Sequence, residues 1–179
     1  RPMITRVFYA IVLAFLVSTS ATSGPFFANG MKIGEVTQTG AIIWTRLTAV
    51  EHGDATSATH AASGAEGSVA LKLKASNGSV HDFGRMDAKS DLDFVCQFAA
   101  DGLSPATSYE VELTAFDDSG EPSAMLSGRF RTAPEVDAEA RVRGFVVSCQ
   151  GIGTVDDEQR GHWIYDAMSR FEPNHFANT

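Results

Sequence analysis

Very little in this sequence of 179 residues is built for covalent cross-linking or for rigid backbone. It has 2 cysteines, 6 prolines and 2 tryptophans. So few cysteines exclude a disulfide scaffold as the main source of stability. The scarcity of proline, beside 44% hydrophobic and 20% charged residues, excludes a Pro-rich linker or a disordered chain. Lys and Arg form no cluster along the sequence, and the formal charge is −8 with a pI near 5.0, which argues against a nucleic-acid-binding surface or an anionic-membrane surface. Apolar runs are short as well: Val7 to Val17 is the longest, well under the ~20 residues a membrane helix needs, so no stable membrane anchor is expected. No P-loop, zinc-ligand spacing or Ser-His-Asp grouping is found.

What is present begins with an export signature. Arg1 and Arg6 flank a short basic start, the Val7–Val17 run follows, and "STSATSG" offers small residues for cleavage after Ala21 or Ser23. Residues 1–23 are therefore read as a signal peptide. The protein is expected to be secreted, or held in the periplasm or cell envelope, with its initiating residue at Met3 or upstream. Such a compartment permits a Cys96–Cys149 disulfide. The alternation of Leu92, Phe94, Cys96 and Phe98 argues instead that Cys96 is a small buried hydrophobe.

From residue 26 to 134 the pattern is one of short alternating strands. "AIIWTRL" (41–47) sets Ile42 and Trp44 against Ile43, Thr45 and Leu47, and "SVALKLKAS" (68–76) sets Val69, Leu71 and Leu73 against Lys72 and Lys74. "DLDFVCQFAA", "SYEVELTAFD" and "GRFRTAP" continue it, with turns at "TQTG", "SNGS" and "DDSGEP". Strict alternation predicts half-buried antiparallel strands, and several of them at this spacing predict a mainly β fold, a β-sandwich. The Ala/Ser/Thr/Gly/His stretch from Glu51 to Gly67 is expected to be a surface loop. Residues 102–115, "GLSPATSYEVELTA", resemble the segment of fibronectin type III and Ig-like domains in which a Leu plugs the core, a Pro turns the chain and a Tyr ties the turn to the next strand. Leu103, Pro105, Thr107 and Tyr109 match it, Trp44 matches the early-strand Trp, and "FRTAP" matches the ending.

After a short acidic linker, 135–141, the pattern changes. "VRGFVVS" is a continuous apolar run of the kind buried in parallel sheets. "CQGIG" turns the chain, and Asp156 or Asp157 can cap a following helix whose Ile164, Ala167, Met168 and Phe171 form one stripe. Pro173 ends that helix, and "HFANT" reads as another strand. Residues 142–179 are thus expected to be the first strand-helix unit of an α/β domain, packing poorly by itself or leaning on the sandwich, and the sequence is read as the N-terminal fragment of a longer protein. Cys149 would lie at the carboxyl end of the first strand, where α/β sheets bind ligands. A thiolate there can hold a metal, and Gly151 and Gly153 would let a metal or phosphate approach. His52, His60, His81, His162 and His175 never pair at ligand spacing and are read as surface or packing residues. Trp163 and Tyr165 fall off the helical stripe, where they could border an active-site mouth or pack against the sandwich, and packing is the expected role.

Sandwich, "RFRTAP", linker, "VRGFVVSCQ" and then "GHWIYDAM" resemble, in that order, the alkaline phosphatase D (PhoD-like) family, whose Ig-like N-terminal domain precedes a metallophosphoesterase domain. The "SCQ" motif ending that family's first catalytic strand stands here as Ser148, Cys149 and Gln150. The resemblance implies hydrolysis of phosphate esters and a metal centre in which Cys149 is a thiolate ligand to ferric iron (Fe3+) beside calcium. It also implies further Asp, Tyr, Asn and His ligands that this chain does not carry, so the chain alone is expected to be inactive, with no catalytic residue assigned within it. The competing readings are a secreted β-sandwich binding or adhesion module without catalysis, and a disulfide-locked exported domain.

Overall fold

The computed structural model describes residues 24–53, 62–148, 156–157 and 162–178. Its first part is a sandwich of seven strands: β1 (Met31–Gly34), β2 (Gly40–Arg46), β3 (Gly67–Ala75), β4 (Val80–Ala88), β5 (Val95–Asp101), β6 (Ser108–Phe116) and β7 (Pro122–Arg131). They form a three-stranded sheet, β1-β2-β5, and a four-stranded sheet, β4-β3-β6-β7, with every pairing antiparallel. This is the fibronectin type III/Ig-like sandwich. Strand alternation builds it. Val69, Leu71, Leu73 and Ala75 of β3 and Tyr109, Val111, Leu113 and Ala115 of β6 are buried, and the residues between them face outward. From the other sheet come Ile43, Cys96, Phe98 and Ala100, with Leu47 just beyond β2. Each fully buried Leu, Ile or Val contributes about 1.5–3 kcal/mol, so the facing layers account for the stability of this part.

The corner before β6 is tied by side chains. Leu103 is 4% exposed and plugs the core end. The Ser104 amide donates to Tyr109 Oη at 2.8 Å, and Thr132 Oγ1 donates to the Ser104 carbonyl at 2.6 Å while accepting the Thr107 amide at 2.9 Å. The "TAP" ending thus locks the last strand to the corner. The turns close through local side-chain bonds of the kind that favour Asn and Asp there. Asn77 Oδ1 accepts the Ser79 amide beside Gly78 (φ 90°), and Asp117 Oδ1 accepts the Ser119 hydroxyl and the amides of Ser119 and Glu121 beside Gly120 (φ 85°).

Two local departures stand out. The chain at "DLDF" is a 3-10 turn, Ser90–Leu92, followed by Asp93 and Phe94 at positive φ, so Leu92 is 62% exposed and the alternation starts only at Val95. Arg46 holds this turn: its Nε donates to the Asp93 carbonyl at 3.0 Å, one terminal nitrogen pairs with the Asp93 carboxylate at 3.0 Å, the other reaches the Ala62 carbonyl at 2.9 Å, and the guanidinium lies 5.8 Å from the Phe94 ring. Trp44 faces outward rather than into the core, half-buried, with the Lys32 ammonium 5.5 Å from its ring.

Cations that are far apart in sequence meet on the outer face of the four-stranded sheet. Lys72, Lys74, Arg85, Arg129 and Arg131 all project there, interleaved with Asp82, Glu110 and Glu112.

The second part is small: β8 (Gly144–Val147), α1 (Trp163–Ser169) and β9 (His175–Asn178). The two strands pair in parallel, from Gly144↔His175 to Val147↔Asn178. A strand, a helix and a second, parallel strand thus follow the sandwich.

Candidate functional site

A parallel strand pair presents its ligand-binding edge at the carboxyl ends, where loops and helix starts converge. Here that edge is formed by Val147 and Asn178. At the opposite edge Asn174 clamps the entry, its amide donating to the Arg143 carbonyl at 2.8 Å and its Oδ1 accepting the Arg143 amide at 3.0 Å. Phe171 meets Phe145 edge to face, with ring centroids 6.1 Å apart. Cys149, two positions past Val147, lies outside the described residues, as do Gln150, Gly151 and Gly153.

Ser148, directly after Val147, is exposed, and the next described residues along the chain are Asp156, Asp157 and His162. Asp156 Oδ2 accepts the Trp163 amide, the first of α1, at 3.1 Å, which satisfies one of the helix's open amides. The helix does not follow directly on Asp156 and Asp157 as the sequence suggested: it begins at Trp163, its N-cap position is His162 without a side-chain capping bond, and the Asp156 carboxylate reaches it from seven residues upstream. The same oxygen is 3.7 Å from His162 Nδ1, and His162 Nε2 is buried without a hydrogen-bond partner among the described residues. Tyr165 is half-buried, its ring centroid 6.3 Å from that of His162. Trp163 is 61% exposed and so does not pack against the sandwich, in contrast to the expectation from its position off the stripe. The stripe itself is uncovered: Ile164 is 53% and Phe171 63% exposed, and on the strand Val146 is 72% exposed.

Among the described residues no three His, Cys, Asp or Glu side chains converge on a possible metal position. Those residues alone do not fit a metal centre. Cys96, the one cysteine described, is a free thiol in the sandwich core, fully buried, its Sγ 3.6 Å from the Met86 carbonyl that accepts its hydrogen bond. Burial first, and then the charge of Asp87, pushes its pKa up to about 11. It is a packing residue, and no disulfide is present among the described residues. Of the remaining histidines, His175 opens β9 opposite Gly144. His81 lies between the rings of Phe83 and Tyr109, His52 is exposed, and His60 is outside the described residues. No helix among the described residues is long and apolar enough to cross a membrane.

A family described as "PhoD-like phosphatase, N-terminal domain" matches residues 13–134. Among solved structures, that of PhoD is similar with a TM-score of 0.52 at 23% identity, over 72% of this chain and 23% of that chain, a likeness of fold. This chain therefore spans about a quarter of that protein's length. The sixth fibronectin type III domain of human fibronectin type III domain containing protein 3 is similar at 16% identity with a TM-score of 0.44, covering 66% of this chain and 95% of that one. Comparison with curated proteins gives no match.

Proposed function

Because this chain belongs to the PhoD-like phosphatase family, whose N-terminal domain matches residues 13–134, we propose that it serves a phosphoric ester hydrolase as its sandwich domain together with the opening of the catalytic domain. The observation that carries the reading is the match itself. The parallel pair of β8 and β9 joined through α1 supports it, because parallel sheets are stable only with both faces covered. Exposed Val146, Ile164 and Phe171 are the residues such a cover would bury. A sandwich acting only as a binding or adhesion module gives no reason for a strand and a helix that leave this much apolar surface in water.

In this reading the substrate is a phosphate ester, and Cys149 supplies a thiolate ligand to ferric iron with calcium alongside. Bound metal would neutralise the phosphoester's charge and orient the attacking oxygen. The chain's own part is to end β8 at Val147 so that the next residues emerge at the carboxyl edge, and to start α1 under the Asp156 carboxylate. We further propose that the protein is exported, with residues 1–23 as its signal peptide, and that this chain alone is inactive because one thiolate cannot hold a catalytic cluster.

The test pairs two proteins. The purified 179-residue chain is expected to leave p-nitrophenyl phosphate and its bis-ester intact, and the whole phosphatase is expected to hydrolyse at least one. Cys149→Ser in the whole protein should lower both hydrolysis and bound iron measured by elemental analysis. Full activity and full iron content in that variant would overturn the assignment of Cys149.

A further inference from the structure

A cleft of about 740 Å³ opens at the end of the sandwich, where the last residues of β3 and β7 and the start of β6 meet Ser169, Glu172 and Pro173 at the end of α1. Strand register sets its charge. Lys74, Glu110 and Arg129 are cross-strand neighbours on one face, and Arg131, two residues beyond Arg129, projects from the same face opposite Ser108. Lys74 Nζ is 3.9 Å from Glu110 Oε2, a weak surface contact. The guanidinium groups of Arg129 and Arg131 have no hydrogen-bond, ion-pair or ring partner among the described residues. Two unpartnered arginines side by side are unusual in a chain of net charge −8, where carboxylates outnumber cations 22 to 14.

We propose that this cleft is a second anion site, on the side away from the carboxyl edge of β8 and β9, that takes an extended, multiply charged phosphate-type anion in its own right; the choice of phosphate chemistry rests on the phosphate-ester reading above. Arginine suits the task because its planar fork donates two parallel hydrogen bonds to a phosphate, and its charge is permanent. Spaced two residues along one strand, the two guanidinium groups stem from positions about 7 Å apart, with Lys74 two strands away at about 10 Å. That spread fits an extended, multiply charged anion better than a single small one. Ser76 and Ser108 line the same cleft, and their hydroxyls can donate to further oxygens, whereas the Ser169 hydroxyl is already given to the Asp166 carbonyl at 2.8 Å. Glu110 and Glu172, also on its wall, leave an excess of one positive charge and select against a neutral ligand.

Binding can be read without turnover, so the result is independent of the catalytic assignment. Inorganic tripolyphosphate and inorganic phosphate are titrated into the 179-residue chain by calorimetry, at low salt and at 0.3 M salt. Tripolyphosphate is expected to bind more tightly than phosphate, and to weaken as salt screens the arginines. Arg129→Gln with Arg131→Gln should weaken tripolyphosphate at least tenfold with the melting temperature unchanged, and Lys32→Gln on the other sheet should not. Equal binding by the double variant, or no binding by the parent chain, overturns the proposal and makes the cleft a seam between the two parts of the chain. If tripolyphosphate binds here and the whole protein hydrolyses no phosphate ester, the site stands and the phosphatase reading falls.

Discussion

Tyr109 ties the corner before β6 to the strand through one hydroxyl. Its ring is 1% exposed, stacked near Phe130 with centroids 5.5 Å apart, and its Oη accepts the Ser104 amide at 2.8 Å. Tyr109→Phe keeps the ring and deletes only that acceptor, so urea unfolding should show a loss of about 1–2 kcal/mol with an unchanged slope. A loss near zero would mean that water replaces the hydroxyl. Cys96 gives a second test at this scale. Its pKa is raised to about 11 in the fold from an ordinary 9.0, so the folded thiol holds its proton where the unfolded one has lost it. Stability is thus unaffected below about 9 and falls as the pH rises from there toward 11. Iodoacetamide at pH 8 should leave Cys96 unmodified in the folded chain and label it in urea; labelling at equal rates in both would contradict the buried position.

Among the elements, those with clean alternation are the ones the sequence reveals. β2, β3 and β6 each carry an apolar residue at every second position, and each is found within a residue of where that pattern places it. β4 is invisible by the same criterion. Its "VHDFGRMDA" mixes charge with Gly84 at φ 73°, and its pairing with β3 shifts register between Ala70 and Lys72, which breaks the period of two. The 3-10 turn before β5 is hidden for another reason, since its geometry depends on Arg46 reaching 47 residues along the chain to Asp93. Arg46→Met keeps the stem and removes those bonds and the pair with the half-buried side. It is expected to cost about 1–3 kcal/mol, because the Ala62 and Asp93 carbonyls lose a charged donor, and to raise amide exchange at Asp93 and Phe94 first. Uniform exchange across β5 would argue that the turn is held by its backbone alone. In α1 the stripe of Ile164, Ala167, Met168 and Phe171 was legible, but what it packs on was not, because a periodic pattern states that a face is to be covered and never by what. The same limit applies to the candidate site: the sequence marks Cys149 at a strand end, and the donors that would complete a metal centre are not among the described residues.

For the whole molecule, stability should be divided unequally. The sandwich has two facing sheets and a continuous buried cluster, whereas β8, α1 and β9 have no fully buried side chain among those described and are held chiefly by the parallel pairing and the Phe145–Phe171 contact. A domain of about 100 residues shifts its melting temperature by roughly 4–8 °C per kcal/mol. Ending the chain at residue 141 removes almost no burial from the sandwich core, so its melting temperature should change by less than about 4 °C on that scale. Native-state hydrogen exchange on the 179-residue chain should agree: amides of β2, β3 and β6 exchange only with global unfolding, and those of β8 exchange at far lower free energy. The exposed Val146, Ile164 and Phe171 should also bind the dye ANS, and the shortened chain should lose that signal. If truncation instead lowers the sandwich's melting temperature by 10 °C or more, the two parts share a core, and the cleft between strand ends and α1 is packed more tightly in solution than its open volume implies. Independent melting would show that the sandwich folds without the rest and that the strand-helix unit waits for the covering that a parallel sheet requires.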